Sequence, residues 1–207
     1  MSNNHPLNIA LPTIGTVVNV RQNHPIYAEC QPADTLFKIV SGMARTCKFK
    51  STGQRQIDAF HTRGDVFGFE ADSFYSISAE AVSDCTLISY SRSGLAALSL
   101  NHQNLATELY THCIRNLIRA RDHAYRLGQS SAITKLASFL IEESERSANP
   151  THITLVMTRT DIADYLGLSV ETVSRTLTQL RKTHLIKFSY AREINLTDLN
   201  GLRWLND

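Results

Sequence analysis

The chain has 207 residues, is 43% hydrophobic and carries a formal charge of +2, enough length for one large or two small domains with a buried core in each. So small a net charge excludes a basic surface spread over the whole molecule and leaves any binding of a polyanion to a local patch. No window approaches 18 consecutive apolar residues and the first 30 residues lack a basic start followed by an apolar core, so neither a membrane span nor a signal peptide is expected, and the expected location is the cytoplasm.

Residues 14 to 92 carry short β-rich runs, such as Leu36 to Val40 and Ala44 to Phe49, broken by Ser41-Gly42, Gly53 and Arg63-Gly64-Asp65. This pattern predicts a small antiparallel barrel or roll. Phe67, Phe69, Phe74 and Tyr75 are expected to be its core, with the lining of an apolar pocket as their other role. Leu95 to Leu127 predicts a short helix followed by a long one. On the long helix Tyr110, Cys113, Leu117, Ala120, Ala124 and Leu127 fall at alternating spacings of three and four, the a and d positions of a heptad. None is charged, and the stripe suits pairing with its copy in a homodimer; covering the chain's own β-roll is its other role. Leu109, Ile114 and Ile118 lie off the stripe and are other apolar residues available for that covering. His102, His112 and His123 are expected to be solvated or to flank a dimer, because His112 and His123 stand three turns apart, too far for one metal.

The four cysteines, Cys30, Cys47, Cys85 and Cys113, form no CxxC pair and are expected as separate reduced thiols, with no metal and no cofactor assigned to the chain. No Ser-His-Asp order, phosphate-cradling glycine loop or pair of catalytic carboxylates stands out, so an enzyme is not expected. The N-terminal tail and Ser147-Ala148-Asn149-Pro150 are the weak spacers, the second expected to separate two domains.

Thr158 to Leu180 reads as two short amphipathic helices joined by Gly167-Leu168-Ser169. Thr158 with Asp161 three residues on makes a capping box ahead of Ile162, Ala163 and Leu166. Gly167 is suited to end the first helix in a left-handed conformation, and Ser169 offers a cap to the second. Val173, Leu177 and Leu180 form the buried stripe of that second helix, which turns Glu171, Ser174 and Arg175 to one exposed side near its start. In a helix-turn-helix this is where base edges are met: arginine pairs with guanine, glutamate accepts from cytosine and serine bonds to a base or a phosphate. A surface Glu-Arg pair worth about 0.2 to 0.5 kcal/mol is the other role for the same residues. Leu185 to Phe188 and Ile194 to Leu196 then predict a β-hairpin, a wing beside the second helix. Five Lys or Arg stand against one acid between Gly167 and Arg192. Lys182, Lys187 and Arg192 are candidates for phosphate contact, with Thr158, Arg159, Ser169 and Thr172 beside them as further phosphate or positioning groups.

The run R-T-D-I-A-D-Y-L-G-L followed by E-T-V-S-R at 171 to 175 resembles the DNA-binding domain of the CRP/FNR superfamily of bacterial transcription regulators, within its FNR and FixK branch. G-D-V-F-G-F-E at 64 to 70 and A-E-A-V-S-D-C-T-L at 79 to 87 are similar to the β-roll of the same family. The resemblance implies an α+β chain: an N-terminal antiparallel β-roll of the cyclic-nucleotide-binding type (1–100), a long dimerisation helix (101–128) and a C-terminal winged helix-turn-helix (129–207). It implies that Glu171, Ser174 and Arg175 contact TTGA-type half-sites of a palindrome as a homodimer on double-stranded DNA. It also implies action on RNA polymerase, with activation of transcription in low-oxygen metabolism. Cluster-bearing oxygen sensors of the group have closely spaced N-terminal cysteines, whereas the first 29 residues here have none. Cyclic-nucleotide members hold the phosphate with a glutamate and an Arg-Ser pair; here Glu70 is kept but the pair reads Tyr75-Ser76. A buried cyclic phosphate without a cation would lose its charge partner, a cost of several kcal/mol, which argues against cyclic AMP. Glu70 is expected instead as a turn residue or an interdomain contact. Two other readings stay open: a heme- or nitric-oxide-type ligand-gated regulator of the same superfamily, and a ligand-binding barrel whose helix-turn-helix packs on a protein partner.

Overall fold

A computed structural model of the chain describes residues 15 to 101 and 103 to 205; the N-terminal spacer and His102 lie outside the described residues. Eight strands come first: β1 (Thr16–Val20), β2 (Pro25–Tyr27), β3 (Thr35–Ser41), β4 (Ala44–Phe49), β5 (Arg55–His61), β6 (Val66–Phe67), β7 (Ser78–Ala81) and β8 (Cys85–Ser91). They form two four-stranded antiparallel sheets, ordered β1-β8-β3-β6 and β2-β7-β4-β5. Alternation along β8 sends Cys85 and Leu87 inward, as one buried face of a sheet requires. Gly42 turns β3 into β4 with φ of +87°, and a Cβ there would stand 2.2 Å from the Asp84 carbonyl oxygen; only glycine fits that approach.

The core of the roll draws aromatic rings from both sheets. Tyr27 stacks on Tyr75 at 3.8 Å between centroids and on Phe37 at 5.7 Å, with Phe67 beside Phe37 at 5.7 Å. Phe67 and Tyr75 therefore take the expected core role, whereas Phe74 is exposed and Phe69 half-buried at a second cluster. The Tyr75 hydroxyl donates to the Thr35 carbonyl. Glu70 is a turn brace: its Oε1 accepts from the Ser76 amide at 2.9 Å and the Ser76 hydroxyl at 2.8 Å. Cys47 and Cys85 are buried in the roll, and Cys30 and Cys113 are exposed.

Helices α1 (Arg92–Asn101) and α2 (Gln103–Gly128) follow. Leu105 and Leu109 pack on Leu36, Val66 and Tyr90 of the roll. Ile114 and Ile118 do not join them: they are 37% and 43% exposed and share the outward side with Tyr110 and Leu117. His112 occupies the inward position instead and is buried, contrary to its expected solvation. Its Nε2 lies 2.8 Å from the Val66 carbonyl oxygen and 3.2 Å from the Val66 amide nitrogen. One ring nitrogen serves one of these two groups on β6, an outer strand, donating to the carbonyl or accepting from the amide according to the tautomer, and burial pushes the imidazole pKa below its usual range. One turn and two turns further on, Asn116 reaches the same carbonyl at 3.5 Å and Arg119 pairs with Asp65 at 3.0 Å. Burial alone raises the Asp65 carboxyl, but Arg119, His61 and the Thr62 amide together bring it below the ordinary carboxylate value. No helix among the described residues is long and apolar enough to cross a membrane.

The chain forms two compact units that divide inside α2, between Ala120 and Arg121. Beyond that point come α3 (Ala132–Arg146), β9 (His152–Thr154), α4 (Arg159–Leu166), α5 (Val170–Lys182), β10 (Ile186–Tyr190), β11 (Glu193–Leu196) and α6 (Leu199–Trp204). Ser147 to Pro150 is not a spacer between domains; it turns α3 into β9 within the second unit. Asn149 Oδ1 accepts from the Thr151 hydroxyl at 2.9 Å and the Ser147 hydroxyl donates to the His152 carbonyl at 3.1 Å. The short polar residues that mark a linker also build tight turns. The wing gains a third strand that the hairpin pattern missed, in the order β10-β11-β9. His123 is buried rather than solvated and stacks on Tyr165 of α4. Leu136, Phe139, Leu140, Leu166 and Leu180, all fully buried, form the core.

On α3, burial pushes the Glu143 carboxyl up to about 7, Glu142 adding to the rise and Arg146 and Arg126 opposing it. The folded chain therefore keeps this proton over a pH range in which the unfolded chain, near 4.5, has lost it. Stability contributed by this group falls as pH climbs from about 4.5 to about 7, and the penalty is complete above that. Glu143→Gln is expected to raise stability at pH 8 by about 1 to 3 kcal/mol and to flatten this pH dependence, measured by urea unfolding from pH 5 to 8.

Candidate nucleic-acid interface

The helix-turn-helix is built by local chemistry at both of its joints. Thr158 caps α4: its side chain accepts from the Asp161 amide, while Asp161 Oδ2 accepts from the Thr158 amide at 2.9 Å, completing the box. Gly167 ends α4 at φ +64° and ψ +39°, and a Cβ built on it would lie 3.4 Å from Leu127 Cδ2. Ser169 caps α5, its hydroxyl oxygen accepting from the Thr172 amide at 3.0 Å and lying 2.8 Å from the Thr172 hydroxyl. Thr172 is thereby engaged in the cap itself. Val173, Leu177 and Leu180 are 0 to 2% exposed, so α5 can turn only its opposite side outward.

That outward side holds Glu171, Ser174, Arg175, Thr178, Gln179 and Lys182 along one open cleft. Arg175 Nη2 pairs with Glu171 Oε1, one turn away, both side chains being largely exposed. Arg159 Nη1 at the start of α4 donates to Ser174 Oγ at 3.1 Å. The three expected reading residues are therefore brought together at the N-terminal half of α5, with Arg159 joined to them. Thr178 and Gln179 went unnoticed in the sequence, although their spacing of three and four from Arg175 already placed them on this face. A second groove, lined by Thr158, Arg159, Phe188, Ala191 and Arg192 among others, lies between α4 and the wing. Arg192 donates to the Val156 carbonyl at 3.4 Å. Lys182 and Lys187 are exposed, on α5 and on β10. An exposed cationic rim around a polar helix face can take phosphates on its edge and base edges at its centre.

The long helix presents its stripe outward: Tyr110 and Leu117 are 67% and 65% exposed, and Cys113, Ala120 and Ala124 are exposed too. Leu127 is half-buried and turned toward Gly167.

A β-roll, a long helix and a winged helix-turn-helix with a Glu-Ser-Arg face define a DNA-binding transcription regulator. Residues 134–205 match the Crp-like helix-turn-helix domain and residues 17–102 the cyclic nucleotide-binding domain. The chain is 40% identical over 198 residues to the nitrogen fixation regulation protein FixK of Azorhizobium caulinodans, covering 93% of this chain and 80% of that one. Against the FixK protein of Rhizobium meliloti it is 35% identical over 189 residues, with 91% and 86% covered. The solved structure of FixK2 from Bradyrhizobium japonicum superposes with a TM-score of 0.89 at 38% identity, covering 94% of this chain and 98% of that one. The chain belongs to the CRP/FNR family of transcription regulators, in its FixK-like branch.

Gly167→Ala forces a side chain into the left-handed region and is expected to lower stability by about 1 to 2 kcal/mol. Ser169→Ala removes the α5 cap and should cost about 0.5 to 2 kcal/mol. Urea titration followed by circular dichroism measures both.

Proposed function

We propose that the chain acts as a homodimer that binds palindromic TTGA-type half-sites and activates transcription in low-oxygen metabolism, working on RNA polymerase in the cytoplasm. In this reading residues 1–100 are a sensor-like roll, 101–128 the dimerisation helix and 129–207 the DNA-binding domain. The observation that carries it is the grouping of Glu171, Ser174 and Arg175 on the exposed, capped start of α5. Arg175 reads guanine through O6 and N7, Glu171 accepts from the cytosine amino group, and Ser174 bonds a base or phosphate. Lys182, Lys187 and Arg192 take phosphates, with Thr158, Arg159, Ser169 and Thr172 fixing the register. The outward apolar stripe from Tyr110 to Ala124 supports a two-fold pair, which sets two recognition helices in successive major grooves about 34 to 36 Å apart. Activation accords with the names of relatives such as the transcriptional activatory protein AadR of Rhodopseudomonas palustris, 34% identical over 165 residues.

The roll supports a regulator that needs no cyclic nucleotide. Tyr75 stands where the family's phosphate cation is expected, and its ring is stacked into the core. Glu70 is engaged by Ser76. Abundance then sets activity.

Binding to a TTGAT-N4-ATCAA duplex and to a scrambled duplex, followed by fluorescence anisotropy, tests the reading. Arg175→Ala is expected to lose about 1 to 3 kcal/mol of discrimination between the two, tenfold or more. Equal binding of both duplexes by the wild type would overturn specific reading. Lys182→Ala should weaken both duplexes alike and reduce the slope of log K against log salt by about 1.

A further inference from the structure

The last two turns of α2, from Arg121 onward, belong to the C-terminal unit and carry two opposed faces. Ala124 and Tyr125 are exposed, Tyr125 at 75%, and continue the outward stripe. His123 and Arg126 are buried, at 6% and 8% exposure. The His123 ring stacks on Tyr165 of α4, 4.0 Å between centroids and 8° from parallel. Arg126 Nη1 donates to the Tyr165 hydroxyl oxygen at 3.2 Å and pairs with Glu142 of α3 at 2.9 Å. The Tyr165 hydroxyl in turn donates to Glu142 Oε2 at 3.5 Å, and Glu142 Oε1 is held by Arg146 at 2.8 Å. One phenol is thus the meeting point of three helices.

A buried cluster of this kind is a poor stabiliser, because desolvating its charges cancels much of their attraction. What it supplies is direction. Apolar contacts tolerate sliding, whereas a hydroxyl that accepts from one fixed guanidinium and donates to one fixed carboxylate has a single satisfying orientation. Leaving either bond unmade in this burial is costly.

We propose that Tyr165 is a positioning residue for two-site DNA binding: through Arg126 and Glu142 it fixes the helix-turn-helix at one angle to the end of α2. The inference rests on the dimer and palindrome reading given above. If Ala124 packs on its copy across a two-fold axis, the opposite side of the same two turns sets where α4, and α5 beside it, stand in each subunit. The separation of the two recognition helices is then set by this node, and with it the half-site spacing that the dimer accepts. Inserting one base pair moves a half-site by about 3.4 Å along the duplex axis, so a rigid node gives a sharp preference for one spacer and a loosened node a flat one.

Tyr165→Phe removes only the hydroxyl. It keeps the His123 stack and the edge contact with Phe139, whose centroid is 5.8 Å away. The test measures Kd of the full-length wild type and of Tyr165→Phe for three duplexes: TTGAT-N4-ATCAA, its N5 counterpart and a single half-site. The wild type is expected to prefer N4 over N5 by about tenfold or more, and Tyr165→Phe to shrink that preference several-fold while its half-site Kd stays within about twofold of wild type. Arg126→Gln, which disturbs the same node from α2, should flatten the spacer preference in the same way. An unchanged N4 preference in Tyr165→Phe, or a parallel fall in palindrome and half-site affinity, overturns the inference and leaves the phenol a packing residue. A wild type that binds palindrome and half-site equally overturns the dimeric reading itself, a result visible before any variant is compared.

Discussion

Burial of Val173, Leu177 and Leu180 decides what the rest of the second unit can do. A helix of 13 residues with three side chains sunk in the core has one rotational setting about its own axis, and every other position on it is assigned a direction by that setting. Glu171, Ser174 and Arg175 point outward because those three point inward. The core of this unit, which includes Phe139, Leu140, Ile162 and Leu166, therefore sets the direction of the proposed base-contacting residues. The caps at Thr158 and Ser169 finish the arrangement by fixing where each helix starts, which determines which of the outward residues sit in the first turns.

The same helix-turn-helix was legible in the sequence for a physical reason: its devices are local. A capping box spans four residues, a left-handed glycine needs no distant partner, and a stripe at spacings of three and four is visible along one segment. The β-roll was legible as a class because its turns are punctuated by glycine, though the order of its strands in two sheets is a tertiary outcome. What could not be read was set by contacts between segments. His112 looks like a surface residue until the bare edge of β6 is placed beside it. Ile114 and Ile118 share a helix face with each other, but periodicity does not say which side of α2 meets the roll. The node at Tyr165 joins residues near 123, 142 and 165, each an ordinary member of its own amphipathic helix.

The interior of the roll is built from aromatic rings. Tyr27, Phe37, Phe67 and Tyr75 form one continuous stack, and the Tyr75 hydroxyl and the Glu70 carboxylate each direct their hydrogen-bonding capacity to neighbours within the roll. Two packed sheets need an apolar interior, and these rings supply it. The roll's tie to α2 adds polar contacts to the apolar packing of Leu105 and Leu109: His112, Asn116 and Arg119, on one helix face, hold Asp65 and Val66. A polar clasp of this kind keeps a helix in register where greasy contacts alone permit it to slip.

The third strand of the wing has a wider effect. β9 precedes the helix-turn-helix in the chain, yet its Ile153 pairs with Ile194 of β11, which follows it. The entrance and the exit of the reading module are thereby laced to each other by backbone hydrogen bonds, with α4 and α5 enclosed in the loop. Neither helix can peel away as a free end, since both its neighbours in sequence are anchored in one small sheet. The module should open as a single cooperative body, and a partly frayed recognition helix is a state that its topology leaves little room to populate.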